Sequence, residues 1–182
     1  MNDTLELRGR TVIVTGASSG IGAATARALH DTTIEQLDLG EFHQVLDLNL
    51  VSVIRLMQAV LPSMLRQGFG RIVNISSGTT GMVLPGIRAY AATKSAVNML
   101  SAVARKELEG TGVSVSVVLP STTATEFGAG RFTSGRHTRP GFIAHSSDYG
   151  AGIILRALRT GEERIDIPHG NEQPELAGLP TH

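Results

Sequence analysis

Short β-branched runs alternate along this chain with stretches of helical period, the pattern of an α/β fold. Thr11-Val12-Ile13-Val14 reads as a strand. It runs through Thr15 into a glycine-rich turn, and the alanine-rich AATARALH (23–30) reads as the helix that follows. Over the next stretch Val45, Leu46, Leu50, Val53, Leu56, Met57, Val60, Leu61 and Met64 keep a helical period. Ile72, Val73 and Ile75 then suit a buried parallel strand that breaks at Ser76-Ser77-Gly78. A Gly/Pro-punctuated loop leads into a helix near Arg88, which ends at Gly110 and Gly112. Val113–Leu119 is a strand closed by Pro120. The segment from Glu126 to Ser147 has no clear period and reads as a long irregular connection. A helix over Asp148–Thr160, capped by Ser147 or Asp148, and a last strand over Glu163–Ile167 follow. Residues 169–182 read as a loose tail. The whole is expected to form one doubly wound Rossmann-type domain, a parallel sheet with helices on both faces.

The turn after the first strand carries chemistry. Gly16-Ala17-Ser18-Ser19-Gly20-Ile21-Gly22 lies between a strand and a helix, the context a dinucleotide-binding turn requires. Gly16 permits the tight turn, Gly20 the approach of a pyrophosphate, and Gly22 close packing of helix on strand. The helix N-terminus offers free N–H groups to phosphates. The spacing is G-x-x-x-G-x-G, not the commoner G-x-G-x-x-G.

A second constellation lies between Arg71 and Ser95. Tyr90 and Lys94 are four apart on a helix, so they share a face within roughly 6 Å at Cβ. Ser77 ends the preceding strand, where open parallel sheets place ligands. A nearby ammonium favours a phenolate and is expected to lower the tyrosine pKa toward the working range. A serine hydroxyl beside it can hold a carbonyl or alcohol oxygen. The trio suits proton exchange with an oxygen that interconverts between those two states. The same spacing also fits one core aromatic and one solvated lysine.

TGASSGIG, NISS and YAATK, in that order, resemble the short-chain dehydrogenase/reductase family over about residues 8–127. Ser77 precedes Tyr90 by thirteen residues, as in that family. The resemblance implies NAD(P)-dependent hydride transfer between nicotinamide and an alcohol/carbonyl carbon, with NAD or NADP as cofactor. It makes Tyr90 the general acid/base and Ser77, rather than Ser76, the ligand of the substrate oxygen. Lys94 would tune the tyrosine and hold the nicotinamide ribose; Asn49 would hold a proton-relay water. Gly16, Ser18, Ser19, Gly20, Ile21 and Gly22 would bind the phosphates. Pro120, Thr123 and Thr125 would lie at the nicotinamide carboxamide, although Ser121 stands where the family usually has glycine. The helices carrying Asn49 and Tyr90 would pair in a homodimer or homotetramer. The irregular segment would cover a small-molecule substrate.

One departure alters the expected fold. In family order the chain passes from the first helix directly to the helix before Ser77, at His30/Asp31. The second to fourth strands and their helices, roughly 60 residues at average element lengths, are missing from the pattern. The missing fourth strand would separate the first strand from the one ending at Ser77. Thr11–Thr15 is therefore expected to lack a neighbour, and residues between His30 and Asp31 to have been omitted. Glu41, near the distance of a ribose ligand, reads as a solvated helix face. If the deletion is genuine, a catalytically inactive nucleotide-binding or interaction module is the alternative.

Composition adds exclusions. Hydrophobic residues make up 41% and charged residues 18% of 182, ample for one core. A formal net charge of zero gives no electrostatic attraction to nucleic acid. With no cysteine there is neither a disulfide nor a thiolate ligand, and no metal site is expected. His137 and His145 read as plain surface residues. No window reads as long enough to cross a membrane, so the expectation is a cytoplasmic chain with no membrane partner.

Overall fold

The computed structural model describes residues 11–15, 33–83, 88–121 and 145–167. The glycine turn with Gly16, Ser18, Ser19, Gly20, Ile21 and Gly22, the His30/Asp31 junction, Thr123, Thr125, His137 and the 169–182 tail lie outside them.

Among the described residues four parallel strands form one sheet in sequential order: β1 (Val12–Thr15), β2 (Gly70–Ile75), β3 (Val113–Leu119) and β4 (Arg164–Asp166). The helices are α1 (Leu39–Leu46), α2 (Ser52–Gln67), α3 (Arg88–Glu107) and α4 (Ser147–Thr160). Alternation along β2 divides the core. Ile72 faces Met57 and Met64 of α2 and Val97 and Ala104 of α3, whereas Val73 faces Tyr149, Ile153 and Ala157 of α4. Helices thus cover both faces of a Rossmann-like parallel sheet. Because β2, β3 and β4 step in one direction across it, helices on opposite faces give the two connections opposite hands.

The sheet corrects one expectation. β1 does not lack a neighbour; it pairs in parallel with β2, Val12 opposite Arg71 and Thr15 opposite Asn74. A backbone ladder is indifferent to side-chain identity, so two strands a full-length sheet would separate can close up directly. A side-chain bond marks the junction: Thr15 Oγ1 donates to Asn74 Oδ1 at 2.8 Å, in the interior. Asn74 Nδ2 donates in turn to Ser101 Oγ of α3 at 2.9 Å.

The predicted helix before Ser77 is present, continuous from Leu39 to Gln67 through a π-helical turn at Asp47–Val51. By length and composition this 29-residue helix could cross a membrane, contrary to expectation. Asn49, Arg55 and Gln58 interrupt its apolar period, but averaging over 18 residues dilutes them. Its inward side chains Val53, Met57 and Met64 are spent on the sheet core.

β3 has the boundaries its β-branched run predicts. Gly112 before it has φ +81°, and a Cβ there would lie 2.0 Å from the Gly68 carbonyl oxygen. Only glycine lets the starts of β2 and β3 approach so closely. α4 begins at Ser147 and is capped by Ser146, whose Oγ accepts from the Tyr149 N–H, rather than by Ser147 or Asp148. The solvated reading of Glu41 agrees with its exposed position in the first turn of α1. His145 is a correction: it is buried and stacked on Tyr149 at 4.8 Å.

Candidate active site

The carboxyl ends of β1 and β2 lie side by side, so the residue before Gly16 sits next to the strand that delivers Ser76 and Ser77. Past Ile75 the chain turns into a 3₁₀ turn, Gly78–Gly81. Gly78 N–H donates to the Pro120 carbonyl at 2.8 Å, fixing the end of β3 against it. α3 then brings Tyr90 and Lys94 back over the same edge.

Ser77, Tyr90 and Lys94 are all buried. A side-chain hydrogen bond joins Ser77 to Tyr90. Lys94 Nζ lies 5.8 Å from the centre of the Tyr90 ring and donates to the Ile75 carbonyl at 2.9 Å. Ser76 plays a different part. Its Oγ donates to the Lys94 carbonyl at 3.2 Å, fastening α3 to the end of β2.

Asn49 occupies the π-helical turn between α1 and α2. Such turns widen the backbone and often accompany functional sites. Its Nδ2 donates to Thr93 Oγ1 at 3.1 Å, and Thr93 Oγ1 donates to the Tyr90 carbonyl at 2.8 Å. The four residues singled out from sequence therefore meet in one cluster. Pro120 reaches the cluster by its backbone carbonyl. Sequence reasoning missed Thr93, Thr79 and Asn74. Thr93 stood in YAATK immediately before Lys94 and was legible by position alone.

The electrostatics correct the expected acidification of the tyrosine. Burial pushes the Tyr90 phenol above its ordinary value of 10.0, and the Ser77 hydrogen bond pulls against that rise. Lys94 spacing supplies proximity, but burial disfavours both charged forms. It pushes Lys94 itself from 10.5 down to about 8. The cluster thus holds a neutral phenol next to an easily deprotonated ammonium. Among the described residues no group of His, Asp or Glu has the arrangement of a metal site.

The family model for short chain dehydrogenase matches residues 29–134, more than half of the chain. Ketoacyl reductase HetN of Nostoc sp. is 39% identical over 90 residues, covering 48% of this chain and 31% of that protein. The 2-(R)-hydroxypropyl-CoM dehydrogenase of Xanthobacter autotrophicus is 33% identical over 122 residues, 67% of this chain and 47% of that one. The chain thus spans about a third to a half of the length of these curated relatives. Among solved structures, a Sphingobium yanoikuyae short-chain dehydrogenase in complex with NADPH superposes with a TM-score of 0.70 at 25% identity, over 91% of this chain and 60% of that one. An Agrobacterium tumefaciens 3-oxoacyl (acyl-carrier-protein) reductase with NADP bound shares the fold, with a TM-score of 0.72 at 24% identity over 91% and 66%.

Proposed function

Given that this chain belongs to the short-chain dehydrogenase family, we propose that it transfers a hydride between NAD(H) or NADP(H) and an alcohol/carbonyl carbon. The observation that carries this reading is the buried Ser77–Tyr90–Lys94 cluster at the carboxyl edge of a parallel sheet. The donor set suits a dinucleotide. Thr15, which precedes Gly16 in the sequence, lies opposite Asn74 of β2, and Lys94 offers a buried cation on the same edge. Gly16, Ser18, Ser19, Gly20, Ile21 and Gly22 would hold the phosphates, Lys94 and Tyr90 the nicotinamide ribose, and Pro120, Thr123 and Thr125 the carboxamide. The nicotinamide, when bound, supplies or accepts the hydride.

This chain's residues manage the proton. Ser77 Oγ, on the last residue before the 3₁₀ turn, holds the substrate oxygen by a hydrogen bond. Tyr90 gives its phenolic proton to that oxygen as it becomes an alkoxide. Burial keeps the phenol protonated at neutral pH, which suits the reductive direction. Lys94 steadies the phenolate that forms. Asn49, anchored through Thr93, supports a water that returns the proton. Exposed Leu56 and Leu65 on α2 and Met99 and Val103 on α3 support a homodimer or homotetramer through these helices. A cytoplasmic, membrane-free location and a small-molecule substrate complete the reading.

Tyr90→Phe removes the proton donor and keeps the ring. It is expected to lower turnover by about 10²–10⁴-fold. Cofactor affinity, followed by the fluorescence of the reduced nicotinamide, should fall far less than turnover, since Lys94 and the phosphate-binding residues remain. A variant with wild-type turnover would take Tyr90 out of its role. Binding without turnover by the wild type would leave the inactive nucleotide-binding module.

A further inference from the structure

Ser77 has to do two things at once. Its hydroxyl must meet the Tyr90 oxygen, and its single proton must point there, not into the loop. A hydroxyl has one proton and two acceptor positions. Both acceptor positions are engaged by one residue: Thr79 N–H donates to Ser77 Oγ at 3.2 Å and Thr79 Oγ1 donates to it at 2.9 Å. The same 3₁₀ turn is held from outside. Thr80 Oγ1 donates to the Ser77 carbonyl at 2.9 Å, and Asn98 Nδ2 donates to Thr80 Oγ1 at 3.1 Å. Asn98 stands one helical turn beyond Lys94 on α3, so the helix that carries Tyr90 also fixes the turn that carries Thr79.

We propose that Thr79 is a positioning residue: by donating twice to Ser77 Oγ it fills that oxygen's acceptor sites and directs the one Ser77 proton out of the loop, at the Tyr90 oxygen while the site is empty and at the substrate oxygen once substrate is bound. The proposal rests on the reading of Ser77 and Tyr90 as the proton-handling pair. With Thr79 in place, Ser77 arrives at Tyr90 as a donor, which stabilises the phenolate more than the phenol. Without the Thr79 hydroxyl, one acceptor site on Ser77 opens. The Ser77 rotor can then turn and accept from the phenol, which favours the neutral form.

The chain has two tyrosines, Tyr90 and Tyr149, and no tryptophan, so phenolate absorbance near 295 nm can be titrated with no substrate or cofactor present. Tyr90→Phe assigns the two midpoints. Thr79→Val keeps the side-chain shape and the backbone N–H while removing the hydroxyl. It is expected to raise the Tyr90 midpoint by about 0.5–1 pH unit, the equivalent of one hydrogen bond. Thr79→Ser should restore the wild-type midpoint, and Tyr149 should not move in either variant. Circular dichroism across the titration confirms that the fold persists, and Thr79→Ala replaces Thr79→Val should that variant not fold. An unchanged midpoint in Thr79→Val overturns the proposal. So does an equal shift in Thr79→Ser, which would make the effect one of packing. Should burial keep Tyr90 from ionising before the chain unfolds, the same comparison is read from the basic limb of the turnover pH profile, where an unmoved limb in Thr79→Val overturns the proposal. Lack of turnover on any carbonyl compound would instead count against the oxidoreductase reading and leave these midpoints standing.

Discussion

The two neighbouring strands β1 and β2 are built differently. β2 lies between two parallel partners and under helices on both faces; from Ile72 to Asn74 it is wholly buried. β1 has four residues and one strand neighbour among the described residues, and its Val12 is 36% exposed. Side chains on both faces and the closure at Gly112 determine the position of β2. β1 adds to its ladder only partly buried packing, Ile13 on one face and Val14 on the other, and one buried side-chain bond, Thr15 to Asn74. Under the proposed function the contrast separates two jobs. The β2–α3 half carries Ser77, Tyr90 and Lys94, which would handle the proton, whereas β1 ends one residue before Gly16 of the proposed phosphate-binding sequence. The first job then rests on the deeply packed half, and the second on the lighter packing of β1 and the Thr15–Asn74 bond.

The sharpest way to break that arrangement is Asn74→Leu, of similar volume and without polar atoms. It strips the acceptor from Thr15 and the donor from Ser101, all inside the core. Thr15 is left without its acceptor, while Ser101 keeps its bond to the Val97 carbonyl, and the change should cost about 2–4 kcal/mol of stability. Denaturant unfolding reads the total. Hydrogen exchange should show the loss of protection concentrated in β1, with β3 retaining its slow amides. Equal loss in both strands would mean that the two regions unfold as one.

What the sequence disclosed follows the same division. Val113–Leu119 was legible to the residue because burial on both faces leaves an unbroken β-branched run between a glycine and a proline. The Tyr90–Lys94 pair was legible because helical spacing alone makes i and i+4 neighbours. Asn49 and Ser77 followed from the order of motifs. Thr79 and Asn74 were not legible, because a polar side chain reveals its partner only once the fold brings them together. Asn74 meets Thr15 across 59 positions. Spacing could not give the direction of the Tyr90 shift either, since it gives proximity and not burial. His145 was misread for that reason: one imidazole in a polar stretch gives no sign of the Tyr149 ring beneath it.

A smaller effect sharpens the interior half. Lys94 has an ordinary value of 10.5 when exposed and about 8 when folded, so the folded state binds fewer protons than the unfolded one between those pH values. Stability from this group is therefore lowest below pH 8 and recovers as pH rises toward 10.5. Lys94→Met removes the titration and keeps the stem. Relative to that variant, the wild type should gain about 3 kcal/mol between pH 7 and pH 10.5. A pH-independent difference between the two would mean that the ammonium is solvated. Tyr90 then loses its buried cationic neighbour and the proton-handling reading weakens.

The smallest effect isolates the margin. Thr15→Val keeps the β-branched shape and the ladder to β2, deleting only the donor to Asn74. The amide keeps its bond to Ser101, so the loss is one hydrogen bond with a buried acceptor left open, about 1–2 kcal/mol. The location of the damage separates the two halves. Exchange should quicken in β1 and leave β2 and β3 as they were, and the affinity for a reduced nicotinamide dinucleotide should fall while the Tyr90 titration midpoint stays. Thr15→Ser, which restores the hydroxyl, should recover affinity more fully than stability, because it returns the bond without the methyl. If Thr15→Val moved the Tyr90 midpoint as well, the Asn74 amide would couple the end of β1 to the Tyr90 helix, and the margin could no longer be treated as separate from the β2–α3 half.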